Sequence, residues 1–160
     1  MGNYTATADA VASTTARKTI LQVANPASNP ASHRIAFYGI WVGGKGIASN
    51  AVPLHVMLAY QTTAGAGGVA LAAGYGPAPL DPALPASAMT ALKGPAAAWG
   101  TEPTLGAVPW VREMHPQSGQ GEYIPLGDEI RLAPGGWVGL LVTAAAAVNV
   151  TAQLYWREGH

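Results

Sequence analysis

In the segment VNVTAQLYW, Val148, Val150, Ala152, Leu154 and Trp156 alternate with Asn149, Thr151, Gln153 and Tyr155. A period of two predicts a strand over Val148–Arg157, one face on a core and the other toward water or a partner. Leu54, Val56, Leu58 and Tyr60 alternate in the same way within Pro53–Thr63, which puts His55 on the polar face. HRIAFYGIWVGG carries apolar residues on both faces, as expected for a strand in the middle of a sandwich. Further strands are predicted at Thr19–Asn25, Val69–Ala73, Val108–Glu113, Glu122–Leu126, Glu129–Ala133 and Trp137–Val142.

The segments between these strands are rich in glycine and proline. NPASNPAS repeats a four-residue unit at Asn25–Ser28 and Asn29–Ser32, and Asn-Pro steps predict a loop there. GKGIASNA reads as the connection after the HRIAFYGIWVGG strand. Residues 64–106 form a long Gly/Pro-rich connection, in which prolines 77, 79, 82 and 85 exclude a long helix. Within it, Ser87–Lys93 is expected to make a helical turn capped by Ser87. Gly135 and Gly136 are expected to turn a hairpin between Glu129–Ala133 and Trp137–Val142. The first seventeen residues are small and polar without clear periodicity, and read as an extended N-terminal arm, mobile until it meets a neighbour. About eight short strands with such connections indicate an all-β fold: one β-sandwich of jelly-roll type over residues 18–160, or a barrel.

Composition narrows the function classes. A chain of 160 residues buries roughly 70% of its unfolded surface on folding, enough for a core without covalent staples. It contains no cysteine, which removes disulfides and thiolate chemistry. Charged residues make up 10% of the chain, against about 25% in average soluble domains. The formal net charge is zero, so there is no basic stripe to attract nucleic acid. A surface this poor in charge also lacks the self-repulsion that keeps monomers apart, which points to partners. No apolar run approaches the roughly 20 residues that span a bilayer. The N-terminal stretch lacks the charged start and apolar block of a secretory signal, and its sixth residue, Ala6, does not suit myristoylation.

Catalytic chemistry finds little support. Histidines 33, 55, 115 and 160 are scattered without metal-ligand spacing, so no metal or cofactor is expected. There is no GxSxG elbow and few acids are present to orient a base. Gly43–Gly46 and Gly65–Gly68 lack the following Lys-Ser/Thr and helix of a phosphate loop. The Asn3-Tyr4-Thr5 and Asn149-Val150-Thr151 triplets match glycosylation sequons, a pattern that arises often by chance. Asp128 and Glu129 are adjacent carboxylates, but neighbours on a strand point to opposite faces and cannot share one reacting centre. They read as the polar entrance to a strand.

The segments TTAGAGGVA, PLDPALPASA, EPTLGAVP and MHPQSGQGEYIPLGDEIRLAPGGWVGLLVTAAAAVNVTAQLYWRE, spread through Ile35–Glu158, resemble a set of small tailed-phage virion proteins. Those chains share a TTAG-type loop, an LDP-x-x-PA segment, an EPT turn and a closing G-x-x-VGL-V…NVTA-x-x-Y-x-E hairpin. The resemblance implies a β-sandwich and a non-enzymatic role as a head decoration or cement protein, on the outer surface of a virion assembled in the host cytoplasm. It implies the major capsid protein and further copies of the chain, in a homotrimer, as partners, and carries over no catalytic residue. Tyr4 and Arg17 in the arm, with Trp99 and Trp110 in or next to the long connection, are the candidate partner contacts. A carbohydrate- or receptor-binding jelly roll of a head fibre or tail is the first alternative, with Trp99 and Trp110 stacking on sugars. A hydrolase on the same scaffold is the second.

Overall fold

The computed structural model describes residues 2–45 and 52–159. Among them there is no helix, and the strands are β1 Gly2–Ala12, β2 Lys18–Ala24, β3 Ile35–Gly44, β4 Leu54–Gln61, β5 Val69–Ala70, β6 Ala78–Pro79, β7 Thr90–Lys93, β8 Trp110–Met114, β9 Gly119–Tyr123, β10 Ile130–Leu132, β11 Trp137–Thr143 and β12 Asn149–Glu158. All the ladders are antiparallel. One sheet runs β10-β3-β12-β1-β6, with β9 continuing along β3 beyond β10, and the other runs β5-β7-β2-β11-β4-β8. The two sheets face each other across one cluster of buried side chains, so the fold is an all-β sandwich.

Alternation builds this core from both sides. Val150, Ala152, Leu154 and Trp156 of β12 meet Leu54, Val56 and Leu58 of β4 and Val138, Leu140 and Val142 of β11 within it. Phe37 and Tyr4 flank the Trp156 ring at centroid distances of 5.9 and 6.4 Å. The polar face expected for His55 is observed, its Nδ1 lying 2.5 Å from Glu113 Oε1 on β8.

Four expectations are corrected. Residues 2–12 of the expected arm form β1, an inner strand of the first sheet paired along nearly its whole length with β12 and briefly with β6. Tyr4, Ala6, Ala8 and Val11 point into the core. The strand escapes recognition because alanine and threonine give weak contrast between its two faces. Ser87–Lys93 does not turn as a helix: Ser87 Oγ accepts the Met89 N–H at 3.0 Å, and Thr90–Lys93 then pairs with β2 as β7. An open strand edge satisfies more backbone groups than a helix too short to propagate. The ninth strand lies at Gly119–Tyr123, earlier than Glu122–Leu126.

The fourth correction concerns hairpins: β10 and β11 belong to different sheets and make none, and β11 and β12, the expected closing hairpin, also lie in different sheets. Ile130 and Leu132, like Val138 and Leu140, face the core, an alternation that a hairpin and a sheet-to-sheet corner share. Gly135, at φ 80°, supplies the left-handed turn. Asn25 clasps the corner: its carbonyl accepts Gly135 N at 2.7 Å and its N–H donates to Gly136 O at 3.0 Å. The Asn25 side-chain amide donates to His33 O at 2.8 Å and Leu132 O at 3.2 Å. Most of the expected GKGIASNA connection, residues 46–51, lies outside the described residues.

Much of the long connection packs on the second sheet, while its β6 extends the edge of the first. Thr19, Gln22 and Gln61 sit on that sheet's outer face, Thr19 sharing it with Gln22 because a register shift between Thr19 and Leu21 breaks the alternation, and they are buried and linked through Gln61 at 2.6 and 3.0 Å. Trp99 Nε1 donates to Thr19 O at 2.9 Å and Glu102 accepts Thr19 N at 3.2 Å. The outer face of the first sheet has no such cover across its β3, β9 and β12 rows.

Candidate interaction surface

The four residues expected to touch partners do not form one site. Tyr4 is buried, and its hydroxyl donates to Pro85 O at 3.2 Å. Trp99 is also buried, anchoring the long connection on β2. Neither side chain is available to a partner, and Trp99 is not available to a sugar. Large aromatics in glycine-rich sequence read as exposed, whereas here they supply the apolar area that holds the connection down. Arg17 is exposed in the turn between β1 and β2. Trp110 is half-buried on β8, with the Arg112 guanidinium 5.7 Å from its ring.

The open face of the first sheet carries a different aromatic set. Tyr38 of β3, Tyr123 of β9 and Tyr155 of β12 form a triangle with centroids 6.2 to 6.4 Å apart. Burial pushes the phenols of Tyr38 and Tyr155 up, so both stay neutral at physiological pH. Arg157 lies 4.8 Å over the Tyr38 ring and donates to Glu129 at 2.7 Å. Farther along β3, the Trp41 indole covers three glycines of the same face. A Cβ on Gly43, Gly119 or Gly121 would come within 2.5, 3.1 and 3.1 Å of its ring atoms. The register explains this: Trp41 faces Gly121 and Gly43 faces Gly119, a two-by-two block in which only one residue has a side chain. The pattern W-x-G opposite G-x-G is present in the sequence, but the pairing that gives it meaning is not.

At the edge of this sheet, beside β10, lies a groove of about 350 Å³ lined by Arg34, Ile35, Ala36, Leu126, Glu129 and Arg131, among others. Leu126 is 83% exposed and the nearby Tyr123 is 73% exposed, the two most exposed large apolar side chains among the described residues. Lys45, Arg112 and Arg157 pair with Asp9, Glu122 and Glu129. Arg34 and Arg131 make no ion pair among the described residues, so the groove joins apolar walls to two free guanidiniums.

A cleft of about 340 Å³ near the N-terminus contains Tyr4, His33 and Glu158, with Ser87 adjacent. Its wiring is not that of a nucleophile triad. Glu158 is the hub: it accepts from Ser87 Oγ, from Ala88 N at 3.1 Å and from Trp156 Nε1 at 2.9 Å. His33 Nε2 stands 3.7 Å from the same carboxylate. A triad requires the imidazole on the serine and the acid behind the imidazole. Here the carboxylate occupies the middle and fastens the end of β12 to the long connection. Asp128 is exposed while Glu129 is covered; both lie before β10 and outside any strand, so the chain's turn into β10, and not strand alternation, parts them. His115 Nδ1 accepts Gln117 N within its own loop at 3.2 Å. No group of three potential metal ligands occurs among the described residues. Comparison with protein-family models, with curated proteins and with solved structures found no match.

Proposed function

We propose that this chain is a non-enzymatic virion structural protein that decorates the outer surface of a phage head, and that its sandwich is a jelly roll. The jelly-roll reading rests on strand order. Leaving aside the three short strands of the long connection, β1-β12-β3, with β9 and β10 both ranged along β3, oppose β2-β11-β4-β8, so strands from the two ends of the chain interleave in both sheets.

The observation that carries the functional reading is the edge groove with its protruding Leu126 and unpaired Arg34 and Arg131. In a chain with eight basic and eight acidic residues, two free guanidiniums beside an apolar groove fit a protein surface that presents a carboxylate next to an aliphatic side chain. The partners proposed are the major capsid protein and two further copies of the chain. A shallow docking edge suffices on a repetitive lattice, because linked copies gain strength by avidity. The expected wrapping of neighbours by an N-terminal arm is not part of this proposal, since β1 belongs to the sheet.

The test is binding of the purified chain to expanded, empty capsids, read by co-sedimentation and by the capsid melting temperature. Binding that raises the capsid melting temperature and is lost in Leu126→Asp or in Arg34→Glu/Arg131→Glu is the expected result. Absence of capsid binding, with monomeric behaviour at high concentration, would sink it.

A further inference from the structure

We infer that the hollow beside Trp41 is a binding site for a neutral saccharide. It is a feature of the opposite end of β3 from the docking groove, and it stands independently of the capsid reading. Trp41 is 38% exposed and its ring is laid along the sheet by Gly43, Gly119 and Gly121. A glycine inside a strand is less favourable than alanine, because it loses more backbone freedom on folding. All three point away from the core, so core packing does not call for them. Their effect is to let the indole lie down and present an apolar face outward.

The surroundings of that ring are polar. A shallow hollow of about 200 Å³ is bounded by Trp41 with Lys45, Gln117, Ser118 and Thr151. This is below the roughly 300–1,000 Å³ of sites for drug-sized ligands and has room for one small ring. An aromatic floor with amide, hydroxyl and ammonium groups at the rim fits a ligand with one apolar face and a hydroxylated edge. A pyranose ring has that form.

Charge selects within the class. Lys45 Nζ lies 2.8 Å from Asp9 Oδ1, and Thr151 Oγ1 donates to the same oxygen at 2.6 Å. The hydrogen bond from Lys45, with that from Thr151, holds the Asp9 carboxyl below the usual carboxylate range, so a carboxylate faces the Lys45 ammonium within the same rim. The rim therefore offers no free cation to an acidic sugar or to a phosphate backbone. A stacked nucleobase would find the floor but no partner for its phosphate.

The experiment uses the purified full chain on an array of gluco-, galacto-, manno- and N-acetylglucosamine oligosaccharides, with sialylated glycans and oligothymidylate as charged arms. Hits are confirmed by saturation-transfer NMR. Expected is saturable binding of at least one neutral glycan, weakened more than tenfold in Trp41→Ala, Trp41→Leu and Gly121→Val and unchanged in Trp110→Ala. Trp41→Leu keeps an apolar cover over the glycines, so loss in that variant, with the parent melting temperature, reports the aromatic face and not the fold. No saturable neutral glycan, a preference for either charged arm, or full binding by Trp41→Leu overturns the inference. Capsid sedimentation is read separately, and its failure leaves this result intact.

Discussion

Arg157 Nη1 lies 2.7 Å from Glu129 Oε1, which joins the end of β12 to the start of β10 across the intervening β3. The same guanidinium covers the Tyr38 ring, and Glu129 Oε2 accepts the Gly127 N–H at 2.8 Å. One of the two adjacent acids is thus a structural anchor at the edge of the aromatic face, while Asp128 points to water.

This anchor makes the acid limb of stability depend on Glu129. The Gly127 N–H foremost, aided by Arg157, holds its carboxyl below the ordinary 4.5 despite partial desolvation. A lowered folded-state value contributes stability that is fully present above the ordinary value and lost as pH falls through the lowered one. Glu102 has the opposite sign, because burial raises its carboxyl above 4.5. Its contribution is present below the ordinary value and lost as pH rises through the raised one. Melting curves from pH 7 to 3 should show Glu129→Gln less stable than the parent at pH 7, with the gap closing in acid. Glu102→Gln, which keeps an oxygen for Thr19 N, should be the more stable partner at pH 7, and its advantage should also shrink in acid. Parallel curves for either variant would remove the assignment.

The corner between the sheets depends on Asn25. Its side-chain Nδ2 donates to His33 O and Leu132 O, and its side-chain Oδ1 accepts from Asn29 Nδ2 at 2.9 Å. Asn25→Ala should cost about 2–4 kcal/mol, because it removes these bonds and leaves buried carbonyls without donors. Asn29→Ala, removing a part-buried link to Asn25 and an exposed one to Ala88 O, should cost about 1 kcal/mol or less. Urea titration gives both values, and equal losses would contradict the central role of Asn25.

Where side-chain contrast along a strand was strong, the sequence was readable. β4, β11 and β12 follow from branched and aromatic residues at alternate positions, and the predicted and observed bounds agree within a residue or two. β1 hid because Ala6 and Ala8 fill inward positions with little apolar area. β9 was displaced because Gly119 and Gly121 look like loop residues, whereas they make room for Trp41. The aromatic face and the docking groove were not legible at all, since both depend on register: Tyr123 meets Gly39, and Arg131 meets Ala36, only once the strands pair. Trp99 could not be distinguished from an exposed aromatic because the cover over the second sheet comes from sequence without periodicity, and Tyr4 because β1 itself was not legible as a strand.

Lys18 fixes the other end of the sandwich. It is buried, and its ammonium donates to Ala12 O at 2.7 Å and to Pro95 O and Ala97 O at 2.6 Å each. Desolvation lowers the affinity of the amine for its proton, and the Glu102 charge opposes that effect. Lys18→Met keeps the length and apolar stem while removing all three donors, so it should cost about 2–4 kcal/mol through unsatisfied carbonyls. Amide exchange in residues 94–99 should accelerate more than in β4. Uniform acceleration across both sheets would show that the ammonium does not serve this segment in particular.

The bulge in β1 offers a gain in place of a loss. Ala8 pairs with Ala152 and Val11 with Val150, so three steps on β1 match two on β12. The extra residue lets Ala8 and Val11 both face the core despite their odd spacing. Ala10 absorbs the difference at φ 51°, the only non-glycine residue in the left-handed region among the described residues. That conformation costs an L-residue about 1–2 kcal/mol, while glycine adopts it freely and loses part of the gain through its larger unfolded-state entropy. The Ala10 side chain is exposed, so its removal forfeits little packing. Ala10→Gly should therefore raise stability by about 0.5–1 kcal/mol, whereas Ala10→Val should lower it, since a branched side chain fits positive φ worst. The measurement is the urea midpoint at constant slope, which separates a native-state change from altered compactness of the unfolded chain. A lower midpoint for Ala10→Gly would show that the bulge is not where β1 stores its strain.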